Sequence, residues 1–182
     1  GVVVCGFQRD PRDIDLFTKT IPSPEGKPLE VRLRVAHASV GADDEENRKN
    51  PLQVRQTRYA SALFLDGLEH ADAVIYNGHS RAGGGPDFGP PKLRSGAIDF
   101  GWYKKNTPGL KPVLEVLAKG GREAPEPKLI GFLSCASSTL FLKKIRDLRP
   151  HVATVTSPKL IYFSDALEST VATLSSILGM RC

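Results

Sequence analysis

Two short β-rich runs constrain this chain most: Asp72–Asn77 (DAVIYN) and Lys128–Ser134 (KLIGFLS), each apolar at its centre and each ended by a small residue and then a reactive one. Runs of this kind read as buried strands. Helical patterns alternate with them. Val54–Leu68 is a helix candidate before the first run. Leu110, Val113, Leu114 and Leu117 form an i, i+3, i+4, i+7 stripe that Gly120 and Gly121 would close. Phe141, Ile145 and Leu148 mark a helix ended by Pro150, with a strand at Val152–Thr156 beyond it; Leu167, Val171, Leu174 and Leu178 mark a last helix, with Ser164 as N-cap and Asp165 in its first turn. Val2–Phe7 and Val31–Val40 read as earlier strands, joined by a polar connection over Arg9–Pro28, and Asp43–Pro51 as a charged turn or helix start. Strands separated by helices need crossovers. The expectation is therefore an α/β fold, a three-layer sandwich whose mostly parallel sheet is flanked by helices.

The segment from Arg81 to Asn106 interrupts the pattern. Its RAGGGPDFGPPKLRSG is too rich in Gly and Pro for a continuous helix and reads as a long loop inserted after the first buried strand. The whole chain, 182 residues with 40% hydrophobic composition and a net charge of +5, fits one domain (1–182) with a single core and excludes a disordered chain. No apolar stretch approaches the roughly 18 residues of a spanning helix, so a soluble protein is expected. The pI of about 9.2 would suit an anionic partner. The basic residues, however, are interleaved with acids and only 7% of residues are aromatic, which argues against nucleic-acid binding. The chain begins with Gly and shows no basic segment leading into an apolar one, which fits a trimmed or processed form and leaves its compartment open.

Cys5, Cys135 and Cys182 are far apart with no C-x-x-C spacing, so neither a metal site nor a dense disulfide framework is indicated, and no cofactor is called for. At least one thiol is unpaired within the chain; Cys5 and Cys182 read as structural. In parallel sheets functional groups collect past the carboxyl ends of strands, where His79 (VIYNGHS) and Cys135 (LIGFLSC) stand. An imidazole there activates a thiol as nucleophile and returns the proton to a leaving amine. The backbone N–H groups of Ser80 and Cys135 are candidates to receive the developing oxyanion.

A strand ending in Gly-His-small, followed some tens of residues later by a strand ending in small-Cys, resembles the caspase-like cysteine peptidases, which include caspases, metacaspases, legumain, gingipain, clostripain and separase. The resemblance implies a caspase-like sheet flanked by helices, hydrolysis of peptide bonds, a protein or peptide substrate, His79 as general base and acid, and Cys135 as nucleophile. One position departs from it: the family usually has Gly after the histidine, and here Ser80 stands there. Two other functions compete. A caspase-like module without turnover, acting as a scaffold, is consistent with the Ser80 departure. A serine hydrolase would use Ser80 in Gly78-His79-Ser80-Arg81-Ala82 as a nucleophile elbow, yet AGGGPDFGPP follows where a helix is required.

The resemblance also places the pocket for the side chain before the cut near Ser157–Asp165 (SPKLIYFSD). Asp165 is thereby a candidate to attract Lys or Arg, and Asp87 in the Gly-rich loop is the next. Arg81 would instead favour an acidic group. Because several members mature by cutting themselves between the two dyad strands, Lys92 and Arg94 are candidate self-cleavage sites. Oligomeric state has no signal in the sequence.

Overall fold

A computed structural model of the chain describes residues 3–119 and 127–179. Gly120, Gly121 and Cys182, assigned above as a helix stop and a structural thiol, lie outside the described residues. Two compact units are present: residues up to His37 with the end of the chain from Ala172, and Ala38–Val171.

The first unit is built on a four-stranded antiparallel sheet in the order β1 (Val3–Val4), β2 (Phe7–Arg9), β3 (Leu16–Pro22) and β4 (Pro28–Arg34). Two expectations are corrected here. The stretch read as a polar connection contains β3, and the early strands belong to an antiparallel sheet of their own. The reason is the shortness of the link. Only Ser23–Lys27 separates β3 from β4, and Ser23 N donates to the Lys27 carbonyl at 2.7 Å while Gly26 turns the chain at φ +75°. A link that short joins antiparallel neighbours; a parallel step needs a dozen residues or more. The ladder then runs from Leu16 opposite Arg34 to Pro22 opposite Pro28. Val35–Val40 lies past its end.

The second unit is mixed α/β, with a three-stranded parallel sheet flanked by helices. Helix α1 (Pro51–His70) starts where Asn50 Oδ1 accepts the Leu52 N–H at 3.0 Å and Pro51 takes the first position, which lacks an intrahelical partner anyway. It buries Gln53, Ala60, Phe64 and Leu68. Strand β5 (Ala73–Asn77) follows, then a hairpin of β6 (Leu93–Arg94) and β7 (Ala97–Ile98), helix α2 (Phe100–Asn106) and helix α3 (Leu110–Lys119). Strand β8 (Leu129–Leu133), helix α4 (Lys143–Leu148), strand β9 (Ala153–Thr156) and helix α5 (Phe163–Leu178), which belongs to this unit as far as Val171, come next. The sheet order is β5-β8-β9, both pairs parallel. Among the described residues, parallel pairing is thus confined to three strands, a smaller sheet than the alternation predicts.

The core joins Phe64 and Leu68 of α1, Val74 and Tyr76 of β5, Leu110, Val113 and Leu117 of α3, Ile130 and Phe132 of β8, and Phe141 and Ile145. Phe64 meets Tyr76 and Phe132 edge-on at 5.8 Å each, the arrangement aromatic quadrupoles favour. The Gly/Pro-rich segment has no continuous helix, as expected, yet it is not structureless. Asp99 Oδ1 accepts the Trp102 N–H at 2.8 Å and starts α2 inside it. Its glycines answer to crowding: a Cβ on Gly84 would come within 2.8 Å of the Tyr103 carbonyl oxygen, and one on Gly85 within 2.5 Å of that of His79. Ser164 lies within the first turn of α5 rather than ahead of it.

Candidate active site

Register decides what meets at the end of the parallel sheet. Asn77 of β5 stands opposite Leu133 of β8, and Gly78 N donates to the Leu133 carbonyl at 3.3 Å. His79 and Cys135 each come two residues after that matched pair. The two exits are tied directly, since Ser80 Oγ donates to the Cys135 carbonyl. Both then turn through left-handed backbone: Arg81 at φ 43° and Ala82 at φ 53° after the histidine, Ala136 at φ 52° after the cysteine. Such conformations are costly for residues with a Cβ and persist where the surroundings enforce them.

Charge organises the His79 exit. His79 Nε2 lies 3.2 Å from Asp43 Oδ2. Arg81 Nη2 donates to both oxygens of Asp43, at 2.9 and 2.7 Å, and its Nε donates to Asp87 Oδ2 at 2.8 Å. The Arg81 side chain is only 3% exposed, whereas that of His79 is 56% exposed and faces water. Asp87 also accepts from the Tyr103 hydroxyl at 3.0 Å. The Tyr76 hydroxyl accepts the Asp87 N–H at 2.9 Å and is within reach of the Asp87 and His79 carbonyls at 2.9 and 3.1 Å. Burial pushes the Tyr76 phenol far above its ordinary range, so it stays a neutral hydrogen-bonding group. The imidazole of His79 is pulled below its ordinary value, first because its neighbours partly desolvate it and then because Arg81 is positive; Asp43 and Asp87 pull the other way.

The Cys135 exit is organised by hydroxyls and backbone. Ser137 Oγ donates to the Phe132 carbonyl at 2.6 Å and accepts the Ser157 N–H at 2.8 Å, while Ala136 N donates to the Lys159 carbonyl at 2.7 Å. Cys135 is a free, partly exposed thiol whose Sγ donates to the Ile161 carbonyl at 3.7 Å. Cys5 is in a disulfide. The N–H groups of Ser80 and Cys135 donate in none of the hydrogen bonds formed among the described residues.

The remaining sequence-predicted residues separate. Asp87 is committed to Arg81 and Tyr103, and its side chain is 15% exposed. Arg81 is likewise turned inward onto two carboxylates rather than toward a ligand. Asp165 is exposed in the first turn of α5, with Ser164 Oγ at 3.4 Å from its carboxylate. Lys92 Nζ packs over the Trp102 ring at 4.2 Å, and Arg94 is exposed in the β6–β7 hairpin. Sequence reasoning missed Asp43. It opens a charged run in which Asp44 caps a short 3₁₀ turn, and nothing local distinguishes the residue that reaches His79 from the one that caps.

A cavity of about 370 Å³ lies elsewhere in this unit, lined among others by Thr57, Arg58, Phe88 and Trp102; it shares Asp87 and Tyr103 with the network but is not lined by His79 or Cys135. Among the described residues there is no cluster of three His, Cys, Asp or Glu side chains placed to hold a metal ion, and no helix is long and apolar enough to cross a membrane. No family model, curated protein or solved structure matches the chain.

Proposed function

We propose that this chain is a caspase-like cysteine endopeptidase that cleaves peptide bonds with His79 and Cys135. The observation that carries the reading is the matched offset of the two residues past adjacent parallel strands, with Ser80 tying the exits together. His79 takes the thiol proton. The sulfur then bonds to the scissile carbonyl carbon, the carbonyl electrons move to oxygen, and the N–H groups of Ser80 and Cys135 receive that oxyanion. Collapse expels the amine, which leaves with the proton from His79. Water, deprotonated by His79, hydrolyses the thioester and restores the thiol. Asp165, exposed and little engaged, is assigned to a basic side chain before the cut.

A panel of peptides varied at the position before the cut, run with the wild type and Cys135→Ala, tests this. Cleavage of Lys or Arg peptides is expected, with loss to background in Cys135→Ala and a fall of at least about 100-fold in His79→Ala. Cleavage that survives Cys135→Ala overturns the reading.

A second reading, a module of the same type without turnover, is favoured by one observation. The imidazole and the thiol each engage another group: Nε2 lies 3.2 Å from Asp43 Oδ2, and Sγ donates to the Ile161 carbonyl. Alkylation by iodoacetamide at neutral pH separates the two: a working pair gives a rate that drops in His79→Ala, and a scaffold gives one that does not. The serine reading is the least supported, because Ser80 is buried and its hydroxyl is spent on the Cys135 carbonyl.

A further inference from the structure

We propose that Asp43 is a positioning residue for His79: its carboxylate, clamped by the buried Arg81 guanidinium, takes the Nε2–H of the imidazole and leaves Nδ1 as the nitrogen that exchanges a proton with Cys135. This rests on the dyad reading above.

The contact itself is short, 3.2 Å between His79 Nε2 and Asp43 Oδ2. A carboxylate has no proton to give, so the ring nitrogen facing it is the protonated one, and a neutral imidazole has its single acceptor on the other side. Asp43 comes from a polar segment and its side chain is 40% exposed, which would ordinarily leave it mobile. Arg81 removes that freedom. Its Nη2 donates to both carboxylate oxygens, and its Nε is anchored on Asp87, which is itself held by Tyr103 and, through the main chain, by the Tyr76 hydroxyl. The imidazole is therefore aimed from a buried platform. The left-handed backbone at Arg81, φ 43°, is costly for a residue with a Cβ, and its side chain meets the two acids, which offset that cost.

The charges around the ring are consistent with a base that cycles. The ionised groups acting on His79 are Arg81, Asp43 and Asp87. One guanidinium against two carboxylates leaves one net negative charge beside the ring. When His79 takes the thiol proton, its new positive charge lies against Asp43; without Asp43 it would lie against Arg81.

The test compares wild type with Asp43→Asn and Asp43→Ala, each also made in Cys135→Ala protein for NMR. His79 is assigned by its loss in His79→Gln. Long-range ¹H–¹⁵N spectra of the imidazole are expected to show the Nε2–H tautomer in wild type and in Asp43→Asn, whose amide oxygen still accepts, and a mixture in Asp43→Ala. The His79 titration moves to lower pH in Asp43→Asn, because a negative neighbour has been removed. On a cleaved peptide, Asp43→Ala lowers kcat roughly 100-fold with KM within about twofold, and Asp43→Asn recovers part of the loss while its acidic limb shifts down. An unchanged tautomer together with an unchanged titration overturns the proposal. If wild type cleaves no peptide, the dyad reading fails, while the spectra still decide what Asp43 does. If Asp43→Ala does not fold, Asp43→Asn carries the titration and the kinetics.

Discussion

Past β5 the chain is held by ionic contacts on a buried platform; past β8 it is held by serine hydroxyls, main-chain bonds and one long thiol contact. At the first exit Arg81 sits between Asp43 and Asp87, and two tyrosine hydroxyls close the network. At the second, Ser137 bridges the end of β8 to Ser157, and the thiol of Cys135 donates to the Ile161 carbonyl at 3.7 Å. The two exits at one end of the sheet are thus held by different chemistry. One exit gathers its charged groups around the His79 ring, and the other leaves the Cys135 thiol weakly engaged.

The sharpest way to break that comparison is to remove the cation. Arg81→Met leaves the poorly exposed Asp87 carboxylate without its ionic partner, and a loss of about 3 kcal/mol is expected in urea unfolding, with turnover falling too. Cys135→Ser is the counterpart at the other exit. It should cost within about 1 kcal/mol of stability while turnover vanishes. Equal stability losses in the two variants would erase the contrast.

Ser80→Ala cuts the link between the exits rather than either one. The Cys135 carbonyl loses its donor, so about 1 kcal/mol of stability is expected to go, with activity reduced but measurable. Complete loss of turnover with Cys135→Ala still active would instead restore Ser80 as nucleophile.

The smallest effect is in the pH dependence of stability. Because folding lowers the His79 value, the unfolded chain binds more protons at acid pH. The contribution is complete above the ordinary value of about 6.5 and is lost as pH falls through the lower folded value. The urea midpoint of wild type should therefore fall slightly more steeply below about pH 6.5 than that of His79→Gln. A shallower fall in wild type contradicts the sign.

Much of this architecture is legible in the sequence where burial makes it so. DAVIYN and KLIGFLS became β5, buried at alternate positions, and β8, buried at nearly every one, and Leu110, Val113 and Leu117 fell on one buried face of α3. The first unit was harder to read. In β3, LFTKTIP, a lysine, two threonines and a terminal proline hide a strand whose pairing is written largely by its partner, β4, across a five-residue turn. That His79 and Cys135 follow two strand ends was readable; that those strands pair in matched register came from the structure. The contact from Asp43 was not readable, because it arises only when a segment 36 positions upstream folds back onto the imidazole, and Arg81, read as a group for an acidic substrate, is instead enclosed by two acids of the chain itself.

Where caspase-like enzymes usually carry a glycine, this chain places a hydroxyl that reaches across to the neighbouring turn. Together with the Gly78 N–H on the Leu133 carbonyl, that bond ties the turn that carries the imidazole to the turn that carries the thiol. Prising the two turns apart has to break both contacts.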